Sequence, residues 1–144
     1  MTDLPRHSVS VMGIVFRDDG RVLAIQRDDD LTWVPPGGVL ELDESPQDGV
    51  AREVLEETGL HVQAERLTGV YKNMKLGVVN LVFRCTFLGG QPHPTAEARQ
   101  VAWLTMDEAK REMPEARLVR ITDALTTNGN GSPPVRIHDG VRLI

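Results

Sequence analysis

The apolar positions fall into short β-branched runs at the start of the chain, followed by one stretch of helical period and then more runs. Ser8–Phe16 and Arg21–Gln26 read as strands, and Asp18-Asp19-Gly20 between them predicts a hairpin. Asp28–Asp43 is turn-rich and contains Pro35-Pro36-Gly37-Gly38. Ser45–Thr58 predicts the clearest helix: Ser45 suits the N-cap, Pro46 the first turn, Asp48 a capping-box-like position, and Gly59 the C-terminal cap. His61–Tyr71 and Leu76–Leu88 predict two long strands linked by Lys72–Lys75, and a loop follows at Gly89–Pro94. Gln100–Leu104 reads as a short strand, and Met106–Arg111 and Pro114 to about Thr126 as helices. The segment 128–134 is rich in breakers, and Val135–Ile144 predicts a terminal strand or hairpin around Asp139-Gly140. No segment repeats with a period of 20 to 50 residues, which argues against a solenoid. Strands on both sides of one strong helix, closed by another helix, predict an α/β fold with helices packed on a mixed sheet.

On a helical wheel Ser45–Thr58 places Val50, Ala51, Val54 and Leu55 on one side and Glu53, Glu56 and Glu57 on the other. An amphipathic helix with a solvated acidic face accounts for this pattern. Two costs weigh against that simple account. Like charges three and four residues apart repel by a few tenths of a kcal/mol per pair. The acids also crowd the helix C-terminus, where the macrodipole favours cations. A hard divalent cation reverses both penalties, since convergent carboxylates are the ligands that Mg²⁺ or Mn²⁺ prefers. Arg52 could hold one carboxylate through a bidentate pair, or serve as an ordinary surface arginine. Glu41 and Glu44 add acids at the same end, beside glycines that let backbone approach a ligand closely.

The chain has 144 residues, enough for one domain over residues 1–144. Its 16 Lys+Arg against 21 Asp+Glu give a net charge of −5, which argues against a broad basic surface for nucleic acid or anionic lipid. Six aromatic residues are too few for an extended base-stacking platform. The one cysteine, Cys85, excludes an intrachain disulfide and a Cys-rich zinc site, and reads as buried packing. The longest uncharged apolar stretches are too short for a membrane span, and no signal-peptide layout is present. The expected compartment is therefore the cytoplasm.

Gly38, five residues, Glu44, seven residues and Arg52-Glu53-Val54-Leu55-Glu56-Glu57-Thr58-Gly59-Leu60 together resemble the complete Nudix box. Trp33-Val34-Pro35-Pro36-Gly37-Gly38 also resembles the approach to the box in MutT-type members, and the likeness spans about Ser8 to about Leu125. The resemblance implies an α/β/α sandwich with a mixed β-sheet and a pyrophosphohydrolase dependent on Mg²⁺ or Mn²⁺. It implies metal ligation by Glu53, Glu56 and Glu57 with the Gly38 carbonyl, orientation of the glutamates by Arg52, and stabilisation of the box by Glu44. Glu97, in a segment similar to the family's Glu-then-strand-to-Trp stretch, is the expected general base or an extra ligand; the alternative is a solvated loop acid. Arg27 resembles an arginine placed near substrate phosphate, with an ion pair to Asp28, Asp29 or Asp30 as its alternative.

Lys72, Lys75 and Arg84 are further cations that could meet phosphate. Tyr71 and Phe83 fit core packing better than base stacking. His7, His61, His93 and His138 lack metal spacing and receive no site. Lys75 and Gly77 stand where a Pro resembles ADP-ribose enzymes and a Tyr resembles diadenosine polyphosphate enzymes, so neither subgroup signal is present. The expected substrate is a small nucleotide-type diphosphate, either a nucleoside triphosphate or a nucleotide sugar. The competing classes are a Nudix-fold nucleotide sensor without catalysis and an RNA-end pyrophosphohydrolase. An intact box argues against the first, and the net charge gives no support to the basic groove that the second requires. No long nucleic acid and no membrane are expected as partners; many relatives dimerise, so a homodimer is the assembly to test. Between Gly38 and Leu60 seven acids face one base, Arg52, for a local net of −6, so the other 121 residues sum to +1. The acidity is concentrated where a cation would neutralise it.

Overall fold

The computed structural model describes residues 3–127 and 130–144, so two residues of the predicted breaker-rich segment, 128 and 129, lie outside the described residues. The elements in chain order are β1 (Ser8–Val15), β2 (Val22–Arg27), β3 (Trp33–Val34), β4 (Gly37–Val39), α1 (Pro46–Thr58), β5 (His61–Asn73), β6 (Val78–Gly89), β7 (Ala98–Leu104), α2 (Met106–Glu112), α3 (Glu115–Thr126) and β8 (Val135–His138). Five strands form a mixed sheet in the order β4-β1-β6-β5-β8, and three form an antiparallel sheet in the order β3-β2-β7. The short β3 and β4 fall within the stretch predicted only as turns.

β1 explains the layering. It runs parallel to β6 from Ser8 opposite Val78 to Val15 opposite Cys85, and it is buried on both faces. Val11 and Val15 pack with Val50 and Val54 of α1, whereas Met12 and Ile14 pack with Ile121 and Ala124 of α3. One helix thus covers each face, giving the expected α/β/α sandwich. A Cβ on Gly13 would lie 3.0 Å from Val54 and 3.1 Å from Val50, so its absence allows α1 to seat close to the sheet.

The predicted hairpin does not form. Its turn is present, with Gly20 N–H donating to Arg17 C=O at 2.9 Å, but Phe16 and Val22 make a single bridge before the strands part. β6 pairs along one edge of β1 from Ser8 to Val15, while β4 takes Ser10–Met12 of the other and Gly13 N–H donates to Pro36 C=O at 3.0 Å. β2 therefore pairs with β3 and β7 in the second sheet. The local turn signal lost to long-range pairing.

The predicted helix is observed at its stated ends. Ser45 Oγ accepts from Asp48 N–H at 3.1 Å, and Gly59 closes α1 with φ of 80° in the left-handed region. Its two-sided pattern needs correction. Leu55, expected on the apolar side, is exposed, while Glu53 and Glu57 are buried with Val50 and Val54. The acidic side is covered by the segment around β4 as well, so α1 is enclosed on two sides. Tyr71 and Phe83 are core residues, as expected, and Cys85 is buried. Tyr71 Oη donates to Asp123 at 2.7 Å, and Arg136 grips the same carboxylate at 2.7 and 2.8 Å, which ties α3 to β5 and β8. No helix among the described residues is long and apolar enough to cross a membrane.

Candidate active site

Three carboxylates from two elements meet beside β4. Glu53 and Glu57 project from successive turns of α1, and Glu97 comes from the loop before β7. One oxygen from each lies within 4.8 Å of the others. Glu53 and Glu57 are only 8% and 7% exposed, which rules out a solvated acidic face. Gly37 N–H donates to Glu57 Oε1 at 2.7 Å. A Cβ on Gly38 would lie 2.5 Å from the Glu53 carboxyl, which Arg52 holds in place, so glycine lets the backbone approach this closely.

The loop carrying Glu97 is fastened to the end of α1. Helix C-termini leave carbonyls without intrahelical partners. Here Thr58 C=O accepts from His93 N–H at 3.1 Å and Glu57 C=O accepts from Thr95 Oγ1 at 3.3 Å. The same Thr95 oxygen accepts from the N–H groups of Glu97 and Ala98, both at 3.3 Å. Satisfying the helix end and placing Glu97 are therefore one arrangement.

Arg52 organises the other side. Its Nε and Nη2 donate to Glu44 at 2.8 and 2.6 Å, and Nη1 donates to Glu53 at 3.0 Å and to Glu56 at 3.2 Å. Nη2 also reaches Val39 C=O at 3.2 Å. Glu44 accepts in addition from Glu41 N–H at 2.9 Å. The pair with Arg52 and this N–H hold the Glu44 carboxyl down at about 2. Glu56 is placed apart from the converging acids, exposed and paired with Arg52.

Electrostatics set Glu53 and Glu57 against this. Burial raises both, and for Glu53 the Arg52 pair opposes the rise. Glu57 is pushed up to about 8, first by burial and then by the Glu53 and Glu97 charges, against the Gly37 N–H and Arg27. Without a cation the second carboxylate here keeps its proton at neutral pH. Hard oxygen donors converging from a buried wall, with charges that repel one another, fit a divalent cation of the Mg²⁺ or Mn²⁺ kind.

These acids form part of the wall of a cavity of about 710 Å³, a volume typical of small-molecule sites. Arg27 also lines it, and its guanidinium pairs with Asp29 at 3.0 and 2.7 Å, with Asp30 at 3.8 Å. The ion-pair reading of Arg27 is thus observed, and the pair sits on the cavity wall. Lys72, Lys75 and Arg84 do not line this cavity; Arg84 stacks on Phe16 beside a smaller one.

The sequence profile of the NUDIX domain matches residues 6–125. The chain belongs to the Nudix hydrolase family. A "MutT-like protein" of Streptomyces ambofaciens is 55% identical over 143 residues, 99% of this chain and 91% of that protein. A "Putative 8-oxo-dGTP diphosphatase" of Bacillus subtilis is 33% identical over 78 residues, 54% of this chain and 52% of that protein. Among solved structures, an ADP-ribose pyrophosphatase from Streptococcus suis superposes with a TM-score of 0.74 at 25% identity, covering 90% of this Nudix chain and 99% of its own.

Sequence reasoning missed the far wall of the cavity. Asn73, Asn80, Arg117, Arg120 and His138 line it from β5, β6, α3 and β8. They are scattered through 66 residues of chain, and only the β5–β8 pairing and the packing of α3 assemble them. No local spacing could have signalled them.

Proposed function

We propose that this Nudix hydrolase cleaves a diphosphate linkage in a nucleoside diphosphate derivative, using Mg²⁺ or Mn²⁺ held by Glu53, Glu57 and Glu97 with the Gly38 carbonyl beside them. The observation that carries the reading is the meeting of these three carboxylates on the wall of a nucleotide-sized cavity. The bound cation would neutralise diphosphate charge, polarise phosphorus and acidify water. The residues of the chain supply the rest. Arg27, with Asp29 fixing its direction, orients a phosphate from the cavity side. Arg52 holds Glu53 while Glu44 holds Arg52, so the ligand carboxylate is aimed before substrate arrives. Glu97, the most solvated of the three acids, takes the proton of the attacking water. Glu56, one of the three glutamate ligands the family resemblance implies, is held here through one oxygen by Arg52 and lies outside the converging trio.

The substrate range we infer is a nucleoside triphosphate or a nucleotide sugar. The named relatives support a nucleotide diphosphate in general, and the missing Pro at Lys75 speaks against ADP-ribose in particular. Phosphate release with Mg²⁺ and Mn²⁺ across dNTPs, oxidised dGTP, nucleotide sugars, ADP-ribose and triphosphorylated RNA tests this. Turnover of a triphosphate or nucleotide sugar, lost in a normally folded Glu57→Gln variant, is the expected result. Tight nucleotide binding without turnover of any diphosphate would instead make the protein a sensor.

A further inference from the structure

The far wall of the cavity carries positive charge that the reaction just described does not use. Arg117 is half-buried and Arg120 is 2% exposed, and both line the cavity. Among the described residues neither forms an ion pair with a carboxylate. Asp29 is taken by Arg27, and Asp123 by Arg136 and Tyr71. Asp28 also lies on the wall without pairing to either arginine, and Asp30 bears on Arg117 only at a distance.

Both guanidiniums are short of acceptors. Nη1 of Arg117 and Nε of Arg120 are buried without a hydrogen-bond partner. Arg120 Nη1 donates to Ala116 C=O at 2.8 Å, and its plane lies over the Tyr71 ring at 4.9 Å. Its Nη2 faces His138 Nε2 at 3.1 Å, while Gly140 N–H points at His138 Nδ1 from 3.0 Å. A neutral imidazole has one acceptor nitrogen, so it satisfies one of these donors and leaves the other. Protonation would make matters worse, and burial with the two arginines pushes His138 down to about 4. Burial and Arg117 push Arg120 down to about 9. Two neighbouring cations, one buried and one half-buried, with donors to spare and no carboxylate partner are costly as they stand. An anion entering the cavity reverses that cost, and guanidinium is the group that matches phosphate and carboxylate in geometry.

The position of these arginines decides which anion. The scissile diphosphate must lie against Glu53, Glu57 and Glu97, where Arg27 is the cation that bears on Glu57. Arg117 senses Arg27 and Asp30, and Arg120 senses Arg117 and Tyr71, whereas none of the three acids bears on either. We propose that Arg117 and Arg120 form a second anion subsite, receiving a phosphate or carboxylate carried by the substrate beyond its scissile diphosphate. The inference rests on the reading of the cavity as a nucleoside diphosphate site, and it narrows the substrate to derivatives with an additional negative group.

Matched pairs test it. The Mg²⁺-loaded protein is assayed on uridine diphosphate glucuronate against uridine diphosphate glucose, and on NADP⁺ against NAD⁺, so that one pair differs by a carboxylate and the other by a phosphate. Wild type should favour the charged member of at least one pair by tenfold or more in kcat/KM. Arg117→Gln should bring that ratio close to 1, while Arg117→Lys keeps most of it; Arg120→Lys serves where Arg117→Gln melts below wild type. A ratio near 1 in wild type for both pairs overturns the subsite, as does a ratio that Arg117→Gln leaves unchanged. If neither pair is turned over, calorimetric titration of the metal-free protein in EDTA with inorganic phosphate decides. Binding weakened tenfold or more by Arg117→Gln upholds the subsite even if the hydrolase reading fails. Binding unchanged by the substitution overturns it.

Discussion

Gly49→Ala should destabilise the protein, although in an ordinary helix interior the change gains about 1 kcal/mol. Gly49 is buried in the first turns of α1. A Cβ there would lie 2.7 Å from Leu40 Cδ1 and 3.0 Å from Glu44 Oε1. Leu40 is a flexible end and can rotate away for about 0.5–1.5 kcal/mol. Glu44 has less freedom, because the same oxygen accepts from Arg52 at 2.6 Å and from Glu41 N–H at 2.9 Å. Displacing it stretches bonds to a charged group worth about 1.5–3 kcal/mol each. Loss outweighs gain, for a net destabilisation of about 1–3 kcal/mol. Urea denaturation followed by Trp fluorescence measures it, and with a slope of about 2 kcal/mol/M the midpoint should fall by about 0.5–1.5 M. Leu40→Ala in the same background removes the nearer contact and should couple with Gly49→Ala by more than about 0.5 kcal/mol. A variant more stable than wild type by about 1 kcal/mol would refute the reasoning, since it would mean that Glu44 is free to move.

Thr95→Val keeps the shape of the side chain but removes the oxygen that links Glu57 C=O to Glu97 N–H. Mn²⁺ affinity should fall roughly tenfold, about 1.4 kcal/mol; an unchanged titration would show that Thr95 does not position Glu97. His138, buried and held near 4 against 6.5 when unfolded, binds fewer protons folded than unfolded between those values. Stability that is full above pH 6.5 is therefore lost as pH falls towards 4, by up to about 3 kcal/mol. His138→Asn should flatten this acid limb in urea melts at pH 4.5 and 7.5, whereas an unchanged slope would place the titration elsewhere.

Different parts of the molecule were legible to different degrees for physical reasons. The ends of α1 were readable because their signals are local: Ser45 caps one end, Gly59 the other, and the box lies within 23 consecutive residues. Convergence of Glu97 with that box was readable only through family likeness, since the link runs through Thr95 and the end of α1. The β1–β2 hairpin was misread because a good turn says nothing about edge availability, and β1 pairs with β6 along one edge and with β4 over Ser10–Met12 of the other. Burial of Glu53 and Glu57 was invisible on a helical wheel, which supposes one covered face. Arg117, Arg120 and His138 meet only through the β5–β8 pairing and the docking of α3 on the sheet.

The claim on which everything else depends is that Glu53, Glu57 and Glu97 hold a divalent cation together. Mn²⁺ titration of the full chain, read by electron paramagnetic resonance, tests it with Glu57→Gln alongside wild type. The Gln retains the acceptor for Gly37 N–H, so the variant should fold and melt normally in EDTA. Its Mn²⁺ binding should be weaker by a hundredfold or more, about 2.7 kcal/mol. Wild-type affinity in a folded Glu57→Gln variant would contradict the account.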